Sequence, residues 1–306
     1  MRTVFLLLFP AAVLAVAPVA GEQLSSAPPA ADLLFSSNRD GKAEIFLLRT
    51  GETEWRNLSR HEASDNWPVW SPDGTRIVFQ SNRTGNLDVF TMKADGSEQI
   101  RLTDDPEPDY LPSWAPDGRS IVFTSWRIEG EEKRAPHIYV MKADGSEQRR
   151  LVAVSPETST DAHWSPDGKS LVFSRKAGKD GASLFVADAE GQAERKLTDE
   201  PGVFHGSPVY SPDGKSIAFY ADEGKSSALV VIAADGTGRK TLRSEGKNWY
   251  PHWSPDGRWL LYTAPASEGD DDNLDLFAIS TSGEGKPILM VGGARNQQEG
   301  SWRPKP

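Results

Sequence analysis

The chain has 306 residues, 37% of them apolar, a formal net charge of −10 and no cysteine. That length could hold two average domains, and the acidic balance argues against a nucleic-acid partner, which needs a basic stripe. The missing thiols exclude disulfide bonds, a lipid carried on cysteine, a cysteine nucleophile and thiolate metal sites.

In chain order, the first element is a leader. Arg2 precedes an almost wholly apolar stretch over residues 4–16, followed by small residues at Ala15, Ala17, Ala20 and Gly21. This pattern is read as a secretory signal peptide over residues 1–21, cut after Ala20 or Gly21. The apolar run is short for a membrane span and is broken by Pro10. The mature chain is therefore expected to be soluble and periplasmic, with no membrane insertion after cleavage. Residues 22–31 read as a short linker and 32–306 as the folded domain.

From there one phrase repeats. Trp70, Trp114, Trp164, Tyr210 and Trp253 each precede Ser/Ala-Pro-Asp-Gly, and Trp302 precedes the partial copy Arg303-Pro304, at spacings of 44, 50, 46, 43 and 49 residues. A period in the forties with four short strands per copy predicts propeller blades. In the copy at Asp65, an extended segment to Trp70 leads into the turn Ser71-Pro72-Asp73-Gly74. A β-branched strand at Ile77-Val78-Phe79, a third strand ending near Met92, the hairpin signal Ala94-Asp95-Gly96 and a fourth strand ending near Leu102 follow.

Third strands recur at Ile45-Phe46-Leu47, Val89-Phe90-Thr91, Ile138-Tyr139-Val140, Leu184-Phe185-Val186, Leu229-Val230-Val231 and Leu276-Phe277-Ala278. The expected fold is an all-β, six-bladed β-propeller of four-stranded antiparallel blades. Asp32-Leu33-Leu34-Phe35 starts inside a blade, so its first strand must come from Gly300-Ser301-Trp302 at the far end. Pairing of the N- and C-terminal strands would close the ring and remove two sheet edges. The serines of the repeated turns are read as turn residues, since Pro fixes φ and Gly supplies positive φ there. The repeated tryptophans are read as wedges between blades.

In a four-stranded meander the first-to-second and third-to-fourth turns share one rim, and here those turns are near-identical. The opposite rim carries the divergent connections, including 126–136, 154–161, 175–181, 199–205 and 264–273. Divergent loops are free to recognise a ligand. The segments that open each inner strand there are Asp65-Asn66-Trp67, Asp109-Tyr110-Leu111, Ser159-Thr160-Asp161, His205-Gly206-Ser207, Asn248-Trp249-Tyr250 and Gln297-Gln298-Glu299. Asp65, Trp67, Asp109, Tyr110, Asp161, His205, Trp249 and Tyr250 are the candidate binding residues of the channel mouth, suited to a peptide, a protein loop or a sugar. The alternative is that these groups bond one another and trapped water.

No catalytic residues, metal site or cofactor are assigned, and a monomer is expected. A rival reading is a metal-assisted lyase or hydrolase of a sugar-type substrate, using His163, His205 and His252 beside Asp109 and Asp161. The inner segments contain no Lys or Arg to receive an acidic sugar. Asp270-Asp271-Asp272 lacks the spaced ligands of a calcium loop and reads as a solvated loop tip. Gly236-Thr237-Gly238-Arg239-Lys240-Thr241 is no phosphate loop, because it sits in a hairpin with no helix following.

The Trp-Ser-Pro-Asp-Gly copies at 70–74, 164–168 and 253–257, Trp-Ala-Pro-Asp-Gly at 114–118, the phrase Val-Met-Lys-Ala-Asp-Gly-Ser-Glu-Gln at 140–148 and the Leu-Thr-Asp endings at 102–104 and 197–199 resemble the WD-type repeats of the TolB family, the periplasmic propellers of the Tol–Pal system. The resemblance covers nearly the whole mature chain. It implies a non-enzymatic module that recognises an envelope protein or peptide at its channel mouth, such as a peptidoglycan-associated lipoprotein. Similar blades occur in prolyl-oligopeptidase-like peptidases and oligogalacturonate lyases, but the Gly-x-Ser-x-Gly elbow of the peptidases is absent here. TolB also carries an α/β domain before its propeller, whereas only about ten residues (22–31) stand between the expected cleavage site and the first strand here, so the resemblance does not settle whether TolA is engaged.

Overall fold

The computed structural model describes residues 27–128, 134–152, 157–176, 181–267, 269–270, 272–293 and 295–305. The expected leader, residues 22–26 of the linker, and the middles of several divergent loops lie outside the described residues.

Blade 1 contains β1 (Leu33–Ser37), β2 (Glu44–Leu48) and β3 (Trp55–Asn57). Blade 2 contains β4 (Asp65–Trp70), β5 (Arg76–Ser81), β6 (Asp88–Lys93) and β7 (Ile100–Arg101). Blade 3 follows with β8 (Asp109–Trp114), β9 (Ser120–Ser125), β10 (His137–Lys142) and β11 (Arg149–Arg150). Blade 4 has β12 (Thr158–Trp164), β13 (Ser170–Lys176), β14 (Ser183–Asp188) and β15 (Arg195–Lys196). Blade 5 has β16 (Phe204–Tyr210), β17 (Ser216–Asp222), β18 (Ser227–Ala233) and β19 (Lys240–Arg243). Blade 6 has β20 (Trp249–Trp253), β21 (Trp259–Pro265), β22 (Leu274–Ser280) and β23 (Ile288–Val291).

The last strand, β24 (Gln297–Trp302), returns to blade 1 and pairs with β1, giving the order β24-β1-β2-β3. Leu33 faces Trp302 and Ser37 faces Gln297, so one blade is stitched from both ends of the domain as the repeat phase required. All six sheets have four antiparallel strands, and the described residues contain no helix.

The second strands are buried on both faces, which is why they read as unbroken apolar runs such as Ile77-Val78-Phe79. Each apolar cluster joins two blades. Trp70, Ile77 and Phe79 of blade 2 pack with Leu34, Ile45, Leu47 and Leu58 of blade 1, and the same pattern recurs around the ring. The wedge reading of the repeated tryptophans holds at Trp70, Trp114, Trp253 and Trp302, all buried in such clusters.

Turn chemistry explains the repeated phrase. Ser71 Oγ donates to Asp73 and accepts from the Arg76 N–H, while Asp73 accepts from the Thr75 N–H. The same serine–aspartate bond recurs at Ser165, Ser211 and Ser254. These bonds hold the Asp73, Asp167 and Asp213 carboxyls below their ordinary pKa, the serine hydroxyl being the largest cause. Such serines are committed to the turn.

Candidate functional site: the channel mouth on the divergent rim

Every inner strand is bulged at the same place. The ladder shifts register between Asn66 and Val69, Tyr110 and Ser113, Thr160 and His163, Gly206 and Val209, and Trp249 and His252, and again where β24 crosses β1. Each bulge holds one residue in the left-handed region: Trp67 (φ 54°), Leu111 (53°), Asp161 (59°), Ser207 (47°), Tyr250 (54°) and Glu299 (55°). Residues other than glycine seldom adopt this conformation, and the same backbone strain is repeated on all six inner strands, as it is at Glu98, Glu147 and Ala193 in the near-identical hairpins. A proline follows four of them, at Pro68, Pro112, Pro208 and Pro251, where its missing N–H removes no ladder bond.

Contacts between blades that are not neighbours show that these side chains meet over the axis. Trp67 of blade 2 and Tyr250 of blade 6 touch edge to face, 5.1 Å between ring centroids, although blade 1 separates their strands. Between them, Glu299 of blade 1 accepts through Oε2 from the Trp67 N–H (2.8 Å) and the Ser36 hydroxyl (2.7 Å). Burial pushes the Glu299 carboxyl up to about 7 against those two bonds.

Tyr250 also meets Tyr220 edge to face at 6.1 Å. Tyr220 comes from the second strand of blade 5, and it reaches across because residue 206 is glycine: a Cβ there would lie 2.3 Å from the tyrosine ring. From blade 3, the Tyr110 hydroxyl accepts from the Trp126 indole at 3.2 Å. Asp161 of blade 4 completes the ring, with Oδ1 3.7 Å from His163 Nε2. The phenols of Tyr110, Tyr220 and Tyr250 are all pushed up, chiefly by burial, and the negative charge of Asp161 adds to the shift in each.

The eight residues singled out from sequence therefore divide. Trp67, Tyr110, Asp161, Trp249 and Tyr250 keep exposed surface, whereas Asp65, Asp109 and His205 have none. Arg83 grips both oxygens of Asp65 at 3.0 and 2.9 Å, and Arg127 holds Asp109 at 2.7 Å. Both arginines arrive from the second-to-third-strand loops and lie over aromatic rings, Arg83 4.8 Å from Phe90 and Arg127 5.4 Å from Tyr139. Burial outweighs Arg127 and keeps the Asp109 carboxyl above its ordinary pKa. His205 bonds Thr198 through Nδ1 at 2.6 Å and packs on Phe219, and burial lowers its pKa. Trp249 sits apart from the aromatic group, beneath the Lys247 ammonium.

Glu299 and Tyr220 were not singled out by the sequence. Proline inside an otherwise β-like segment marks four of the bulges but not that of Glu299, which Gly300 follows, and the glycine at 206 is the signal that marks Tyr220.

Of the three histidines in the rival reading, two are neighbours. His163 Nδ1 lies 3.2 Å from the Ser113 hydroxyl, and His252 donates from Nδ1 to the Trp253 carbonyl at 3.0 Å. Burial, with His163 nearby, lowers His252 to about 4 and leaves it neutral. Among the described residues, no three or more His, Cys, Asp or Glu side chains are grouped so as to hold one ion. Towards the other end of the inner strands is a pocket of about 350 Å³ lined by Trp70, Tyr210, Trp253 and Trp302 with Val209 and His252.

The TolB beta propeller domain matches residues 15–126, 82–243 and 131–305 in overlapping stretches. The chain belongs to this family. Its fold is similar to that of TolB from Acinetobacter baumannii, with a TM-score of 0.75 at 21% identity, over 92% of this chain and 69% of that one. Hydrazine synthase from Kuenenia stuttgartiensis (0.72, 14%, 89% and 46%) and oligogalacturonate lyase from Vibrio parahaemolyticus (0.59, 14%, 85% and 74%) share the architecture. No curated protein is similar enough in sequence to count as a match. At these identities the likeness of this TolB-type propeller to solved structures is one of fold, and function must be argued from the site.

Proposed function

We propose that this TolB-type propeller is an exported, non-enzymatic binding module that presents its divergent-rim mouth to a protein or peptide of the cell envelope. The observation that carries the reading is the ring of six left-handed bulge residues, with Trp67, Tyr250, Asp161 and Glu299 converging over the axis. Aromatic rings beside carboxylates suit a peptide anchor, and the strain spent on all six strands is spent at that one place. In this reading residues 1–21 are removed, residues 22–31 link to a domain spanning 32–306, and the mature monomer works in the periplasm. A peptidoglycan-associated lipoprotein is the partner that the family resemblance suggests. The rival reading, a metal-assisted lyase or hydrolase built on His163, His205 and His252 beside Asp109 and Asp161, has a likeness of fold to oligogalacturonate lyases on its side.

Photo-crosslinking from the mouth in envelope extract tests this. Specific prey should be captured by the parent protein and lost in the Trp67→Ala/Tyr250→Ala variant. Prey that survive that double substitution would move the site elsewhere. Amino-terminal sequencing of periplasmic protein should begin near Gly21 or Glu22, and an intact Met1 in the membrane fraction would reverse the export reading.

A further inference from the structure

We infer that the mouth receives an organic cation, the ammonium or guanidinium of a lysine or arginine side chain offered by the partner. The inference rests on the reading of this mouth as a contact site and specifies its chemistry.

Some buried and half-buried carboxylates of this protein are paired with arginine and others are not; Asp275, 6% exposed on the third strand of blade 6, accepts from the Gly293 N–H and has no lysine or arginine partner among the described residues. Asp65, Asp88 and Asp109, away from the axis, each hold an arginine, from Arg83, Arg101 and Arg127. Asp161 and Glu299, which face the axis, are paired with neither lysine nor arginine among the described residues. The Asp161 carboxylate lies 3.7 Å from the His163 imidazole. Glu299 is 9% exposed, and both of the hydrogen bonds its carboxyl accepts, from Ser36 and Trp67, use Oε2.

Around these two acids stand π faces, and no lysine or arginine of the described residues forms an ion pair with either. Trp67 and Tyr250 touch across the axis, Tyr220 leans over Gly206 onto Tyr250, and Tyr110 lies within the field of the Asp161 carboxylate. A cation over aromatic faces gains from their quadrupoles, and more so where water is excluded. A carboxylate at the same place adds a charge-assisted hydrogen bond. An anion would meet the Asp161 carboxylate there, and a purely apolar group would leave it without a counter-charge. The same protein already uses this chemistry internally, where Arg83 and Arg127 are each held between a carboxylate and aromatic rings. At the mouth the carboxylates and rings are in place and the cation must come from outside.

Calorimetric titration of the purified protein with N-acetyl-lysine amide and N-acetyl-arginine amide tests this, with N-acetyl-norleucine amide as the uncharged control. Both cations should bind saturably, and norleucine amide at least tenfold more weakly. Asp161→Asn should weaken the cations at least tenfold while leaving the control unchanged; asparagine is at home in the left-handed region, so the bulge survives. Glu299→Gln, which keeps an acceptor for Ser36 and Trp67, provides a second variant with the same expected direction. Absence of saturable binding by either cation, equal binding of norleucine amide, or cation binding unchanged in both variants would overturn the inference. Failure to capture an envelope partner, with the titration positive, removes the partner reading and leaves the cation site. Captured prey with a negative titration does the reverse.

Discussion

The Arg303 guanidinium lies 5.0 Å from the centroid of the Trp70 ring, joining the last segment of the domain to the first tryptophan of the repeat. Arg303 also donates to the Gly74 carbonyl at 2.8 Å and pairs with Asp32 at 3.3 Å. The seam of the ring is thus fastened to blade 2 as well as within blade 1.

Deleting residues 297–306 should open that seam, leaving β1 as a bare sheet edge and exposing Leu33 and Phe35, now buried against Trp302. Trp302→Ala alone should cost about 3–5 kcal/mol, as for other buried aromatic truncations. Thermal melts read both effects, and a truncated protein that melts with its parent would refute closure.

Breaking one rim ion pair should hurt more than replacing it. Arg127→Ala leaves the Asp109 carboxylate buried without its counter-charge and should destabilise by about 3–5 kcal/mol. The pair Asp109→Asn/Arg127→Met should recover part of that loss. Urea unfolding of the two single variants and the double variant gives the comparison; a double variant as unstable as the sum of the singles would count against this account.

Two channel groups should pull stability in opposite directions with pH. Glu299 is raised from 4.5 to about 7, so between those values the native state keeps a proton that the unfolded chain has released, and stability falls as pH rises. His252 is lowered from 6.5 to about 4, so the unfolded chain takes a proton that the native state refuses, and stability falls as pH drops through that range. Each slope is at most about 1.4 kcal/mol per pH unit. Relative to the parent, Glu299→Gln should therefore gain stability as pH rises from 5 to 6.5, as roughly expected from one lost proton, and His252→Gln should lose it. Parallel pH profiles for all three proteins would contradict both shifts.

Gly206 and Tyr220 should be coupled. Gly206→Ala forces its Cβ to within 2.3 Å of the tyrosine ring and must displace it. In the Tyr220→Ala background the same alanine should cost much less. A double-mutant cycle on stability should give an interaction of about 1 kcal/mol or more, and an additive result would mean that the ring is not held there.

The sequence carried the blade count, the strand order and the closure because all three follow from one repeated turn: Ser71, Asp73 and Gly74 bond within six residues of each other, so their chemistry is local. It placed Trp67, Tyr110, Asp161 and Tyr250 at the mouth for the same reason, since position in the repeat fixes position on the rim. It did not show that Asp65 and Asp109 are occupied by Arg83 and Arg127, each 18 residues away and on another strand end. Nor did it show the meeting of Trp67 with Tyr250, which depends on ring curvature and on a bulge that only the inner-strand prolines hint at. Local chemistry could be read from the sequence, whereas convergence on the axis depends on the closed ring.

The register of the closing strands also sets how the domain would bear a load. Leu33 and Trp302 face each other at the same end of their antiparallel pair, and the chain leaves the domain from both at that end. Tension applied between the segment before Leu33 and the segment after Trp302 would break the ladder one bond at a time from that end towards Ser37 and Gln297, as in a zipper, instead of shearing all the bonds together. The load would meet the cluster of Leu33, Phe35 and Trp302 against Trp259 and Leu261 of blade 6 as the ladder opens. The two ends of the domain therefore meet in a geometry that peels under tension, with Arg303 and the Trp302 cluster as what resists it.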